Sequence, residues 1–239
     1  MQKEIDLYGD GIGKVEYIRH MGTDATIVQA ARVSYHKDLD SEELTDKDRR
    51  LIRYLIKNKH TSTLEHCQVT FRCTVPLFVR SQHHRHRTWK FNEVSRRYTD
   101  YNIQFYEPTT FRTQHKSNKQ ASNLDEIDPL LACEFPDLFG LASRRASELI
   151  KDHHRKSIEL FDALITGGVC REQARGVLPQ NMYTRYYATI DLSNLLKFID
   201  LRLHPHAQWE IQQMAQAYLE IARDLWPTAV EEFRNRVEV

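Results

Sequence analysis

The sequence predicts an α+β fold, rich in helix, as a single domain over residues 1–239 with a mixed or antiparallel sheet. Three observations carry that expectation. Apolar residues recur at helical spacing in long segments at 46–57, 138–165, 191–203 and 207–225. Short segments with period-two alternation are scattered between them, too dispersed for a doubly wound parallel sheet. At 239 residues the chain can bury one sizeable core, and no internal repeat or long linker divides it.

The elements follow in order. Residues 2–8 and 14–19 alternate as two strands joined by Gly9-Asp-Gly-Ile-Gly13. That glycine run joins strand to strand and opens no helix, so it reads as a turn rather than a phosphate cradle. Residues 24–32 form a short helix expected to be capped by Asp24, and 46–57 a helix with Leu51, Ile52, Leu55 and Ile56 on one face. Cys67, Val69, Phe71, Cys73 and Val75 alternate with polar residues as a half-buried strand. Pro76 then suits a helix start, and a helix from Leu77 to about His84 sets Arg85-His86-Arg87 at its C-terminal end. Residues 101–106 read as a strand, and 112–128 as a polar, irregular surface loop or insertion. A long amphipathic helix over 138–165 stops at Gly167-Gly168, and Pro227 lies beyond the last predicted helix.

Composition narrows the function. Charged residues make up 28% of the chain, yet the formal net charge is only +1, which argues against a general nucleic-acid binder. No apolar run approaches the roughly 20 residues of a membrane helix, and the start has no signal-peptide core. A cytoplasmic protein is expected, with no membrane partner. Cys67, Cys73, Cys133 and Cys170 form no Cys-x-x-Cys pair and read as free thiols. The histidines at 83, 84, 86, 204 and 206 have no cysteine or acidic residue at matching short spacing, so no metal is expected. His153 and His154 are expected on a solvated helix surface, with Arg144 and Arg145 on a charged helix face.

Against that balanced background, six Lys or Arg and one Glu fall between Arg80 and Arg97. Guanidinium groups at that density repel one another unless water or an anion neutralises them. Arginine's planar fork matches phosphate and carboxylate. Gln82, Asn92 and Ser95 add neutral hydrogen-bonding groups, and Trp89, Phe91 and Tyr98 add flat surfaces. The combination suits a phosphorylated aromatic ligand such as a nucleotide. The bland alternative is a charged surface turn, and a single-strand-binding module using the same aromatics is a further one.

Arg85-His86-Arg87, followed after seven residues by Ser95, resembles the signature of the flavin-dependent thymidylate synthases. Ala31-Arg32-Val33-Ser34, His60-Thr-Ser-Thr-Leu-Glu-His66, Arg175-x-Val-Leu-Pro179 and Leu201-Arg202 with His206-Ala-Gln-Trp-Glu-Ile-Gln-Gln213 resemble its other motifs, in family order. The resemblance implies a thymidylate synthase-complementing fold. It implies transfer of methylene from 5,10-methylenetetrahydrofolate to dUMP, hydride from reduced FAD, NADPH as reductant, and a homotetramer with sites shared between subunits.

The resemblance also implies site residues. Gln82, His83, His84, Arg85, Glu93, Val94, Ser95, Arg96, Arg97, Arg175 and Arg202 are implied for dUMP, Val94 and Arg96 through backbone. Ser34, Ser62, Arg85, His86, Arg87, Glu93, Asp191, Leu192, Ser193 and Lys197 are implied for FAD. Arg202 and His60 are implied for the chemistry, Arg202 at the uracil edge and His60 beside flavin and folate. Ser95 is expected to hold the nucleotide rather than react, because no base adjoins it. Relatives carry Asn, Arg and Asn where this chain has Asp191, Ser193 and Lys197. A uracil-modifying tRNA methyltransferase is the enzyme alternative, and would need an extended basic surface.

Overall fold

The computed structural model describes residues 3–36, 43–99, 102–119, 121–134 and 141–237. In order, the regular elements are β1 (Glu4–Asp6), β2 (Lys14–Met21), α1 (Asp24–Arg32), α2 (Asp46–Lys57), β3 (Gln68–Pro76), α3 (Leu77–His83), β4 (Lys90–Glu93), β5 (Phe111–Gln114), β6 (Ser122–Ile127), β7 (Leu130–Glu134), β8 (Leu141–Arg145), α4 (Ala146–Thr166), α5 (Arg171–Ala174), β9 (Tyr183–Asp191), α6 (Leu192–Leu203), α7 (Trp209–Leu225) and α8 (Pro227–Val237). Short 3-10 turns lie at Val33–Tyr35, Thr61–His66 and Arg175–Val177. The α+β expectation holds, with helices and strands intermixed along the chain.

The chain divides into two compact units. One comprises Met1–Val75, Ser81–Glu93 and Arg185–Val239, the other Pro76–Arg80 and Val94–Thr184. The chain crosses between them several times, so no single linker marks the division in the sequence.

In the first unit a five-stranded sheet runs in the order β1-β2-β3-β9-β4. The β1–β2, β2–β3 and β4–β9 pairings are antiparallel. At the centre of this sheet β3 is buried along most of its length, on both faces, rather than half-buried as its alternation suggests. Of its two threonines, Thr70 places Oγ1 2.9 Å from Thr189 Oγ1 on β9, while the buried Thr74 hydroxyl has no hydrogen-bond partner among the described residues. Gly22, at φ +80, ends β2 where an added Cβ would meet Cys67 Sγ at 3.0 Å, so only glycine suits both the backbone and the space.

Helix α1 starts where expected, but Thr23 is its N-cap. Asp24 instead reaches across the unit. Its carboxylate accepts the backbone N–H of Thr228 at 2.8 Å and of Ala229 at 3.1 Å, capping α8. Pro227, expected merely to follow the last helix, occupies the first position of this additional one, where its missing N–H does no harm. Helices α6 and α7 carry the apolar stripe read from the sequence, and α7 buries Ile211, Met214, Tyr218 and Ile221 among others.

The second unit corrects the sequence reading most. The stretch 112–128, expected irregular, contains the antiparallel pair β5–β6. The strand expected over 101–106 reduces to one bridge, Phe105 to Met182. The helix expected from 138 begins at Ala146, and Leu141–Arg145 pairs as strand β8 with β7. Residues 135–140 lie outside the described part. Arg144 and Arg145 are therefore on a strand, with Arg144 paired to Asp152 and Glu148. His154 is buried, not a surface residue: its Nδ1 lies 2.8 Å from Glu107 Oε1 and its ring stacks on Phe105. The apolar cluster of this unit gathers Phe105, Phe161, Ala174, Leu178 and Met182.

Candidate active site

Three groups of the expected residues take recognisable form. The first surrounds α3 and β4. Residues 82–89 form tight turns, with Arg85 N–H donating to Gln82 O, His86 N–H to His83 O and Trp89 N–H to His86 O. Within this winding His84 and His86 are half-buried. His83 is fully buried, with Trp89 at 4.4 Å, Phe91 and Phe198 at 5.1 Å, and Tyr218 and Tyr186 at 5.8 Å between ring centroids. Its Nδ1 lies 2.8 Å from Tyr186 Oη. The side chain of His83, one of the residues expected for dUMP, lies in the core, and burial holds its pKa well below the ordinary value. His84 stacks on Phe91 at 4.0 Å.

His86 faces the other way and meets Arg202. The Arg202 Nε–H donates to His86 Nε2 at 3.0 Å. Accepting that bond requires a lone pair on Nε2, so His86 is neutral with its proton on Nδ1. Burial, and then the Arg202 charge, push its pKa down to about 4. A neutral partner orients the guanidinium without neutralising it. Phe198, edge-on to His86 at 4.7 Å, fixes the ring from α6. Gln82, from the last turn of α3, donates to Gln208 Oε1, and Gln208 in turn donates to Glu210 at 2.8 Å. Gln208 was not singled out by sequence, although it stands inside the quoted His206–Gln213 motif. Arg85, Arg87 and Glu93 are exposed.

The second group lies in the other unit. Ser95 Oγ accepts the backbone N–H of Arg97 at 3.3 Å. Arg97 forms an ion pair with Glu172 at 2.6 Å, both side chains about half exposed. Glu172 is on α5, three residues before Arg175, which opens the next 3-10 turn and is exposed. No sequence signal marked Glu172, because its partner is 75 positions away. Val94 is exposed and Arg96 half-buried.

The third group lines a cavity of about 380 Å³ in the first unit, bounded by Ile56, Lys59, Thr61, Leu64, Ser193, Leu196, Lys197, Asp200 and Phe233. Ser193 and Lys197 are thus brought to one wall. Asp191 and Leu192 have structural contacts within the fold. Asp191 is the N-cap of α6, accepting Asn194 N–H at 2.9 Å and its side-chain amide at 2.8 Å. Leu192 is fully buried and its N–H donates to Cys67 O. Ser62 and His60 are exposed at the Thr61–His66 turn, His60 edge-on to Tyr54, and Ser34 is exposed at the end of α1.

This cavity suits a flavin dinucleotide's anionic and aromatic parts. Ser193 Oγ is buried without a hydrogen-bond partner. A buried hydroxyl left unpaired at a helix N-terminus, beside two lysines and an apolar floor, asks for an acceptor such as phosphate.

Two of the four cysteines are ill placed for thiolate chemistry, and the side chain of Cys133 lies outside the described part. Cys67 and Cys73 are buried, and burial pushes both up to about 12, so neither is a ready thiolate. Cys170 is exposed and free. Among the described residues no cluster of His, Cys, Asp or Glu could hold a metal, and no helix is long and apolar enough to cross a membrane.

Comparison with known proteins agrees with this reading of the motifs. The profile described as "Thymidylate synthase complementing protein" matches residues 16–228. A flavin-dependent thymidylate synthase of Thermus thermophilus is 40% identical over 94% of this chain and 77% of its own length. That of Thermotoga neapolitana is 38% identical over 92% and 90%. The crystal structure of a UMP/dUMP methylase, PolB from Streptomyces cacaoi, bound with 5-Br dUMP, superposes with a TM-score of 0.77 at 30% identity, covering 97% of each chain. With the motifs, the fold and the relatives in agreement over nearly its whole length, the chain belongs to the thymidylate synthase complementing protein family, the family of the flavin-dependent thymidylate synthases.

Proposed function

We infer that this protein is a flavin-dependent thymidylate synthase that methylates dUMP to dTMP. The one-carbon unit comes from 5,10-methylenetetrahydrofolate, and NADPH is the reductant. Bound FAD, once reduced, supplies the hydride that completes the methyl group. The observation that carries the reading is Arg202 held by a neutral His86 within a chain that matches the family from residue 16 to 228.

Carbon 5 of uracil is a weak nucleophile. It can be activated by a thiolate at carbon 6 or by cations that stabilise enolate charge on the ring. Burial disables Cys67 and Cys73 for the first route. Arg202 suits the second. It is partly desolvated, aimed by its Nε bond to His86, and its remaining N–H groups keep full charge for developing anionic oxygen. His86 positions Arg202. Arg97 and Arg175 hold the nucleotide phosphate, and Ser95 holds it without reacting. Gln82, Arg85 and Glu93 contact the nucleotide. Ser193 and Lys197 take the flavin dinucleotide, with Ser34, Ser62 and Arg87 as further contacts and His60 serving the folate side. The working enzyme is a cytoplasmic homotetramer whose subunits share residues.

The test is tritium release from carbon 5 of labelled dUMP, with FAD, NADPH and methylenetetrahydrofolate each omitted in turn. Release that requires all three, with dTMP formed, is expected. Release independent of flavin would overturn the reading. UMP is run beside dUMP, because the PolB likeness extends over 97% of the chain.

A further inference from the structure

Lys59 breaks a backbone rule at the edge of the Ser193 cavity. It follows α2 at φ +57, one of three non-glycine residues with positive φ in the described chain. Its N–H donates to Ile56 O, and the next N–H, of His60, donates to Leu55 O. That is the left-handed closure of a helix C-terminus, a position that strongly favours glycine because a Cβ crowds the backbone there. Nothing in the packing demands lysine: Lys59 is exposed and makes no ion pair among the described residues. A non-glycine residue in the left-handed region beside a cavity points to a role for its side chain.

The cavity supplies that role. Lys59 and Lys197 both line it, and so does the buried Ser193 hydroxyl that lacks a partner. Ser193 stands in the first turn of the twelve-residue α6, whose positive end adds to the lysines. Asp200 lines the cavity two turns further along α6. Along α6, Ser193 stands at the positive helix end, Lys197 about one turn on, and Asp200 about one turn beyond that. An anionic group belongs at the first end, and hydroxyl or amine donors at the second.

We propose that Lys59, with Lys197, binds the pyrophosphate of FAD at the Ser193 end of this cavity, and that the lysine is kept in a left-handed position for that charge. The proposal rests on the FAD reading above and adds Lys59 to it. It also accounts for Ser193: a short hydroxyl suffices there when two lysines from neighbouring elements carry the charge.

Lys59→Gly separates strain from charge in one substitution. Purified flavin-free protein is titrated with FAD, followed by flavin fluorescence, at low and high salt, and its melting temperature is recorded. Glycine relieves the backbone, so the flavin-free protein should melt about 2–4 °C higher. FAD affinity should nevertheless fall about tenfold or more, since a charged hydrogen bond is lost, and its salt dependence should flatten. Lys59→Asn, also tolerated in the left-handed region, should weaken FAD similarly, while Lys59→Arg should retain most affinity. Wild-type affinity in Lys59→Gly and Lys59→Asn would overturn the role of Lys59 and leave the FAD reading standing. Equal loss in Lys59→Arg would overturn it too, because charge would not be what matters. Failure of the wild-type protein to bind FAD at all would overturn both.

Discussion

Two arginines expected to serve the same nucleotide live in opposite surroundings. Arg202 is half-buried, oriented by an uncharged imidazole, and has no carboxylate partner among the described residues. Arg97 is half exposed and already paired with Glu172. Burial strengthens electrostatic interactions because water no longer screens them. A guanidinium left unneutralised in such a place stabilises charge that appears only as a reaction proceeds. An exposed guanidinium with a carboxylate partner can exchange that partner for a phosphate, which favours binding over catalysis. The difference predicts that the two residues act on different kinetic constants.

The largest effect should follow from Arg202→Ala. Loss of a preorganised group at developing charge typically lowers turnover by about 10²–10³-fold, and nucleotide affinity should fall much less. Tritium release set against nucleotide titration separates the two. Arg202→Lys should stay impaired, since an ammonium cannot both bond His86 and present a fork. Flavin reduction by NADPH, followed by stopped flow, should survive better than methyl transfer in both variants. By contrast, Cys67→Ala, Cys73→Ala and Cys170→Ala should keep turnover in folded protein. A cysteine variant that binds FAD but releases no tritium would break the cationic account.

Arg97→Ala and Arg175→Ala should change affinity instead. Each removes a charged hydrogen bond of roughly 1.5–3 kcal/mol, so dUMP affinity should fall about ten- to a hundred-fold while deoxyuridine is affected much less. Equal losses for both ligands would erase the distinction from Arg202.

The His86 proton sharpens the comparison through pH. Its folded pKa is about 4 against an ordinary 6.5, with burial the first cause and Arg202 the second. A histidine with a depressed pKa binds fewer protons when folded than unfolded. Its stabilising contribution is therefore fully present above pH 6.5 and is lost as pH falls through about 4. His83, depressed still further, acts in the same direction. Denaturant midpoints should fall steadily on acidification through that window, and less steeply in His86→Gln. In Arg202→Gln, the His86 titration followed by NMR should move up only in part, because burial remains.

The smallest effect concerns Glu172→Gln. The exposed pair contributes at most about 1 kcal/mol to stability, so melting should barely change. Removal of a carboxylate competing for Arg97 should tighten dUMP a few-fold at low salt and do little for deoxyuridine. A weaker dUMP complex would show that Glu172 supports the arginine rather than competes with it.

The sequence by itself determined the α+β class, the helices at 24–32, 46–57, 191–203 and 207–225 (the last two observed at Leu192–Leu203 and Trp209–Leu225), the strands around Val15 and Phe71, and the ordered motifs that identify the family. These are local signals, legible because apolar periodicity and helix caps depend on neighbours along the chain. One further local signal was available: Tyr186, Ala188 and Ile190 alternate with Arg185, Tyr187 and Thr189 and form β9. Only the tertiary structure decided which polar groups meet. Asp24 caps a helix two hundred residues away, His83 faces a cage of aromatics while His86 faces Arg202, and Glu172 finds Arg97. It also decided that Asp191 caps α6 while Ser193 is left unpaired in a cavity beside Lys59. Such pairings depend on the closure of long chain loops, whose cost grows only slowly with separation. Sequence distance therefore carries almost no information about them.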